Sequence, residues 1–210
     1  MSEITLPIAP LRDLLAWWRK TKTKGLVIGG LAVAFRGEPR ITRDVDAIIF
    51  LNEKRWATFL EKGAEFSFCQ RVPNPLEFAR HSRILLLHHE PSGIDVDLSL
   101  AGVPFEWEAL KRAKNVRIGR LSVPVATAED LIVLKAVAHR HIDWADIEKL
   151  LDYCDDLDFA YIRKHVDVLA QMLEMPEIFQ DLDQRLREYE KARGRKKIIE
   201  QERRQRRVTK

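Results

Sequence analysis

The sequence predicts an α/β (α+β) fold, a mixed sheet flanked by helices with a helical domain at its C-terminal side. Two observations lead there. Up to about residue 125, helical and strand patterns alternate, which indicates helices packed on a sheet. From Thr127 the pattern is helical throughout. The chain of 210 residues is long enough for one ordinary core, or for a main domain with a smaller second one. The expected division is a sheet domain at 1–125, a helical domain at 126–184 and a basic helical or disordered tail at 185–210.

Each element has its own signal. Residues 9–21 place Leu11, Leu14, Leu15 and Trp18 on one helical face. A strand is predicted at about 25–29, then a helix opened by Gly29-Gly30, then a strand at about 44–51. Asn52-Glu53 starts a helix over 53–63, apolar at Trp56, Phe59 and Leu60. The run Arg83–His88 reads as a buried strand, and Pro91-Ser92-Gly93 turns into another at Ile94–Leu100. Asn115–Gly119 and Leu121–Val125 form a short edge hairpin. Thr127 with Glu129 and Asp130 gives a helix start ahead of Leu131–Val137. Further helices begin at Asp143 and Asp158. From about 176 a long polar helix carries a sparse stripe of Ile178, Leu182, Leu186 and Tyr189. Trp17, Trp18, Trp56, Trp107 and Trp144 are expected in the core.

Composition narrows the class. A hydrophobic fraction of 46% is that of a globular protein, and the apolar runs are strand-sized, too short to span a membrane. The first residues lack the basic and apolar regions of a signal peptide. Cys69 and Cys154 stand far apart without metal spacing, so two buried reduced thiols and a cytoplasmic location are expected. Charge is uneven. Residues 185–210 hold twelve Lys and Arg against four Glu, a balance of +8; with a total of +4, the other 184 residues carry −4. A basic tail of this kind is either a solvated helix extension or a contact to nucleic-acid phosphates.

Chemistry concentrates in two places. Gly29-Gly30 closes the apolar run Leu26-Val27-Ile28 and opens a helix, leaving backbone N–H groups free for phosphates. Asp44-Val45-Asp46 opens the next apolar run, and residues i and i+2 of a strand share a face. Adjacent carboxylates repel, and Mg²⁺ is commonly held by one or two of them together with substrate phosphates. Asp95-Val96-Asp97 repeats the arrangement on a second strand. If those strands are neighbours, three or four acids meet at one sheet edge, the layout of two-metal phosphoryl transfer. On one helix Lys135, His139 and Asp143 (or Arg140 and Asp143) would lie on one side, so ordinary ion pairs are the alternative to a site role there. His88-His89 and His139-Arg140-His141 lack a third ligand at metal spacing and read as surface or packed histidines.

Together Gly29-Gly30, Asp44-Val45-Asp46 and Asp97 (or Asp95) resemble the signature of the DNA polymerase β-like nucleotidyltransferases. Gly-Gly-x-Ala followed by Arg40-Ile41-Thr42-Arg43-Asp44-Val45-Asp46, with the later Lys135–Ile147 segment, is similar to minimal nucleotidyltransferases near the AbiEii toxin type. The resemblance covers residues 25–150 and leaves the tail outside. It implies that Gly29 and Gly30 hold an NTP, aided by Arg40 or Arg43. It implies two Mg²⁺ ions on Asp44, Asp46 and Asp97, with Asp95 the other candidate. Asp97 would assist deprotonation of the acceptor hydroxyl, and Lys135 would neutralise phosphate charge. The implied acceptor is RNA, tRNA included, and the implied setting a toxin–antitoxin pair with a protein antitoxin. Gly30 stands where that family often has serine, and Ile142 where a basic residue usually precedes the aspartate. A binding or regulatory module of the same fold, and a small-molecule transferase of the aminoglycoside type, are the alternatives.

Overall fold

A computed structural model describes residues 6–37, 42 and 44–208, with side chains described as far as Gly194. The order is α1 (Ile8–Thr21), β1 (Lys24–Val27), α2 (Gly29–Arg36), β2 (Asp44–Phe50), a 3-10 turn (Glu53–Arg55), α3 (Trp56–Ala64) and β3 (Phe68–Gln70). Then come α4 (Pro75–Ser82), β4 (Ile84–His89), β5 (Ile94–Leu100), α5 (Pro104–Arg112), β6 (Lys114–Ile118) and β7 (Leu121–Val125). The helical half follows as α6 (Ala128–Ala138), α7 (His141–Tyr153), α8 (Phe159–Met172) and α9 (Pro176–Val208).

The described strands form one sheet in the order β3-β4-β5-β2-β1-β7-β6. β2–β5 and β1–β7 are parallel and the other pairs antiparallel, so the sheet is mixed. β4 and β5 alternate between buried and half-exposed residues, the pattern of strands covered on one face only. The covered face carries Leu85, Leu87, Val96, Leu98 and Leu100. Here α1 and α3 pack together, with the Trp17 ring stacked 4.0 Å from Phe59 and 5.2 Å from Phe68, and Trp17 Nε1 donating to the Phe59 carbonyl. On β1, Gly25 belongs to this face: a Cβ there would lie 2.8 Å from the Trp18 ring. Register then fixes the other face. Asp44 pairs with Asp95 and Asp46 with Asp97, so all four acids stand together away from α1 and α3.

α2 packs on β2 and reaches α6 and α7. At its end Arg36 donates to the carbonyls of Ala126, Val125 and Lys114 at 2.9, 3.0 and 3.2 Å, tying the helix to the β7–α6 junction. Ile178, Leu182 and Leu186 of α9 are fully buried, so the sparse stripe read from the sequence is a packed seam. Tyr189 extends it by donating to the Leu151 carbonyl.

Several details differ from the sequence reading. β1 ends at Val27, because Gly29 adopts φ +66° and starts α2. β3, α4 and α5 carry no sequence expectation; α4 and α5 each begin with a proline, a position where the missing N–H costs nothing. Trp107 is half exposed and rests on Phe50, at 4.3 Å between rings, because α5 lies at the rim of the core. Cys69 and Cys154 are free thiols but half-buried, each beside a backbone carbonyl. Among the described residues, no helix is long and apolar enough to cross a membrane.

Candidate active site

A cleft of 420 Å³ opens where β1 ends and β2 begins. Its walls include Gly29, Gly30, Asp44, Asp46 and Asp97, and from the helical half Lys135, Arg140 and Asp146. These side chains come from five elements, so the site exists only because the helical half closes on the sheet.

Gly29 sits in the left-handed region, and a Cβ there would lie 2.6 Å from both Cβ and Cγ of Asp46. Only glycine lets the turn and that carboxyl share the space. Ile28 N–H donates to the Asp46 carbonyl at 2.9 Å, fixing turn and strand together. The residue preceding α2 is Ile28, whose side chain cannot cap, so the first amides of α2 have no side-chain acceptor.

Burial pushes the Asp46 carboxyl up to about 6, and its neighbours Asp44 and Asp97 add to the shift. Lys135 and Arg140 pull against them. Burial likewise raises Asp97, although Arg71 opposes it by an ion pair and a charge-assisted hydrogen bond. Arg71 spans two acids, because its other nitrogen lies 2.9 Å from Asp95 Oδ2. Asp95 is held further by His88 Nδ1 at 2.7 Å. Asp97 is the carboxylate of that strand which lines the cleft, and Asp95, tied to it through the shared Arg71, is not part of the lining. Sequence reasoning missed Arg71, which lies just after β3; nothing in its spacing marks it.

Lys135 is placed differently from the simple helical picture. The chain leaves the helix at His139 (φ 51°) and restarts at His141, so Lys135 and Asp143 are not on one continuous face. Instead the buried ammonium bridges two buried acids across the corner, 2.8 Å from Asp143 Oδ1 and 2.8 Å from Asp146 Oδ2. Arg140 adds 2.7 Å and 3.1 Å contacts to Asp143. Burial alone would raise Asp143, but the hydrogen bonds from Arg140 and Lys135 outweigh it and hold the carboxyl low. Ile142, which the resemblance sets where a basic residue usually stands, is exposed at the cleft wall. Arg40 and Arg43 lie outside the described residues.

The residues present fit a divalent cation. Besides Asp146, which is paired with Lys135, the cleft is lined by Asp44, Asp46 and Asp97, and Asp46 is destabilised as an anion by burial and by the other two, the imbalance a cation relieves. Among the described residues no three ligating side chains converge tightly enough to form a ready cage, and Asp97 is engaged by Arg71.

Residues 13–196 match the family described as nucleotidyltransferase of unknown function (DUF6036). The chain belongs to this nucleotidyltransferase family. Its fold is similar to the crystal structure of an antigenic nucleotidyltransferase-like protein from Paracoccidioides brasiliensis, at 16% identity and TM-score 0.50, over 82% of this chain and 92% of that one. It is also similar to the lincomycin-bound lincosamide antibiotic adenylyltransferase LnuA, at 15% identity and TM-score 0.49, over 70% and 98%. The antibiotic-resistance factor ANT(2'')-Ia matches at 15% identity and TM-score 0.47, over 90% and 97%. No curated protein matches the sequence. The cleft in this nucleotidyltransferase-family chain lies at the glycine turn and the paired aspartates quoted above for the family resemblance.

Proposed function

We propose that the protein is a Mg²⁺-dependent enzyme that moves a nucleoside monophosphate from an NTP to an acceptor hydroxyl. The observation that carries this is the register of β2 and β5, which brings Asp44, Asp46 and Asp97 onto one face beside the Gly29 turn. Asp44 and Asp46 would hold the metal, and Asp97 would complete a second metal position. A bound divalent cation supplies neutralisation of the triphosphate and stabilisation of the charge that develops on it. The amides opening α2 bind the triphosphate. The acceptor oxygen bonds to the α-phosphorus, the bond to the bridging oxygen breaks, and pyrophosphate leaves; Asp97 takes the hydroxyl proton. Lys135 contributes through the field of its ammonium while anchored to Asp143 and Asp146. Asp97 acts once Arg71 has released it.

RNA, tRNA included, is the acceptor this reading favours, in an AbiEii-like toxin setting with an antitoxin partner. Its support is the +8 balance of residues 185–210 beside a body of −4. Incubation with each labelled NTP, Mg²⁺ and total RNA is expected to label RNA, and Asp46→Ala to abolish labelling with the circular dichroism unchanged. Removal of residues 190–210 is expected to weaken RNA binding and flatten its salt dependence. Two observations favour a second reading, a binding module of the same fold: Asp97 is ion-paired, and Ile142 stands where the resemblance places a cation. Absence of both Mg²⁺-NTP binding and label transfer would establish that reading, and transfer to an aminoglycoside instead of RNA would identify a small-molecule enzyme.

A further inference from the structure

A second cleft, of 560 Å³, lies at the other end of β1 from the glycine turn. Lys24 and Gly25 open that strand on the cleft side, and Gly29 lies past its far end, about 13 Å away at strand spacing. The floor is apolar, made by Leu15 and Trp18 of α1, Leu110 of α5 and Pro124 of β7. Around it stand four cations, Arg19, Lys22, Lys24 and Arg120, and among the described residues no carboxylate lines it.

None of these four has an ion-pair partner among the described residues, whereas most other arginines of the sheet and helical halves are paired. Arg19 and Lys22 have an ordinary explanation, since cations at the end of α1 complement its dipole. That explanation does not reach Lys24, which starts β1, or Arg120, in the β6–β7 turn. Arg117 pairs in register with Ser122, so it stands on the same face of the hairpin as that lining residue and adds to the field. Like charges gathered from three parts of the chain around one concavity repel, and an anion removes the repulsion.

We infer that this cleft is a second, non-catalytic binding site for an organic anion with a flat apolar body of nucleotide size. The body rests on the Leu15–Trp18–Leu110–Pro124 floor, and the anionic group meets Arg19, Lys24 and Arg120. A volume of 560 Å³ is within the ordinary range for small-molecule sites. The inference is independent of the nucleotidyl-transfer reading, because no residue of the carboxylate cleft takes part.

The test is a fluorescence titration of the full chain with anilinonaphthalene sulfonate, an aromatic anion. The wild type is expected to bind one equivalent saturably and less tightly at high salt. Arg19→Gln/Lys24→Gln/Arg120→Gln is expected to weaken binding about tenfold, as three exposed charge contacts would. Ser122→Trp, at an exposed strand position lining the cleft, fills it and is expected to abolish binding; it keeps the test open should the triple variant fold poorly. Asp46→Asn, at the other end of β1, is expected to leave affinity within about twofold of wild type, below the ~1 kcal/mol scale of a surface contact. Absence of saturable binding, affinity untouched by either cleft variant, or loss with Asp46→Asn overturns the inference.

Discussion

Gly29→Ala probes the contact on which the carboxylate cleft depends. At φ +66° an L-residue costs about 1–2 kcal/mol relative to glycine. The added Cβ would also lie 2.6 Å from Cβ and Cγ of Asp46, so either the turn or β2 must shift. Forced overpacking of this kind costs about 1–3 kcal/mol. The two terms together come to roughly 3 kcal/mol, which for a chain of this size lowers Tm by about 6–12 °C. Thermal unfolding followed by circular dichroism measures the loss, and calorimetric titration with Mg²⁺-ATP measures binding, which should disappear. In an Asp46→Ala background the Cγ and both oxygens are gone while the Cβ at 2.6 Å remains, so the cost of Gly29→Ala should shrink but stay above the φ cost alone. A Tm within about 2 °C of wild type, with nucleotide binding intact, would refute both the close approach and its role; that shift corresponds to about 0.5–1 kcal/mol, well short of roughly 3.

Four further outcomes follow from the site. Asp46 is raised from 3.8 to about 6, so the native state binds its proton more tightly than the unfolded chain and stability falls as pH rises from about 4 to 6, then stays low. Asp46→Asn removes that slope and should stabilise the metal-free protein above pH 6 by up to about 3 kcal/mol, in urea titrations across that range. Mg²⁺ binding to the wild type should weaken below pH 6 in isothermal titration as Asp46 takes up its proton. Lys135→Met leaves Asp143 and Asp146 buried around a lost cation and should cost about 3–5 kcal/mol by urea denaturation, with Lys135→Met/Asp146→Leu recovering part of it. Arg71→Gln releases Asp97 and Asp95, and Mn²⁺ affinity by calorimetry should rise about two- to fivefold, the range of an exposed ion pair.

The strands and the acids were legible because both follow a period of two. Asp44 and Asp46, and then Asp95 and Asp97, are spaced for one face, and pairing β2 with β5 in parallel is the single step that joins them. The glycine pair was legible for the same local reason, although its strand was drawn too long by two residues. What the sequence hid depends on contacts between distant segments. Arg71 reaches across β4 to β5, and no local pattern announces that. Lys135 and Asp146 are eleven residues apart, and they meet because His139 turns left-handed, a break that an ordinary run of helix formers does not signal. Trp107 looked like core by residue type alone, yet it sits on a rim helix whose proline start and Glu106, which accepts from the Val103 N–H at 3.0 Å, were the readable signs of α5.

The helical half has two tasks that pull in opposite directions. It lines the carboxylate cleft with cations, which lower the cost of ionising Asp46, yet it ties those cations to its own acids. Lys135 has Asp143 and Asp146 as partners, and Arg140 has Asp143, so the net charge delivered to the cleft by these four residues is close to zero. The field at Asp46 is then set by distance and orientation rather than by sum, and it leaves that carboxyl well above its ordinary range. A site built this way holds its cations rigidly without filling the acidic side of the cleft with positive charge. In the metal-dependent reading proposed above, that leaves Asp44 and Asp46 for the metal, and Arg71, which among the described residues is the cation bonded directly to the cleft carboxylate of β5, is the group that must yield when the site is used.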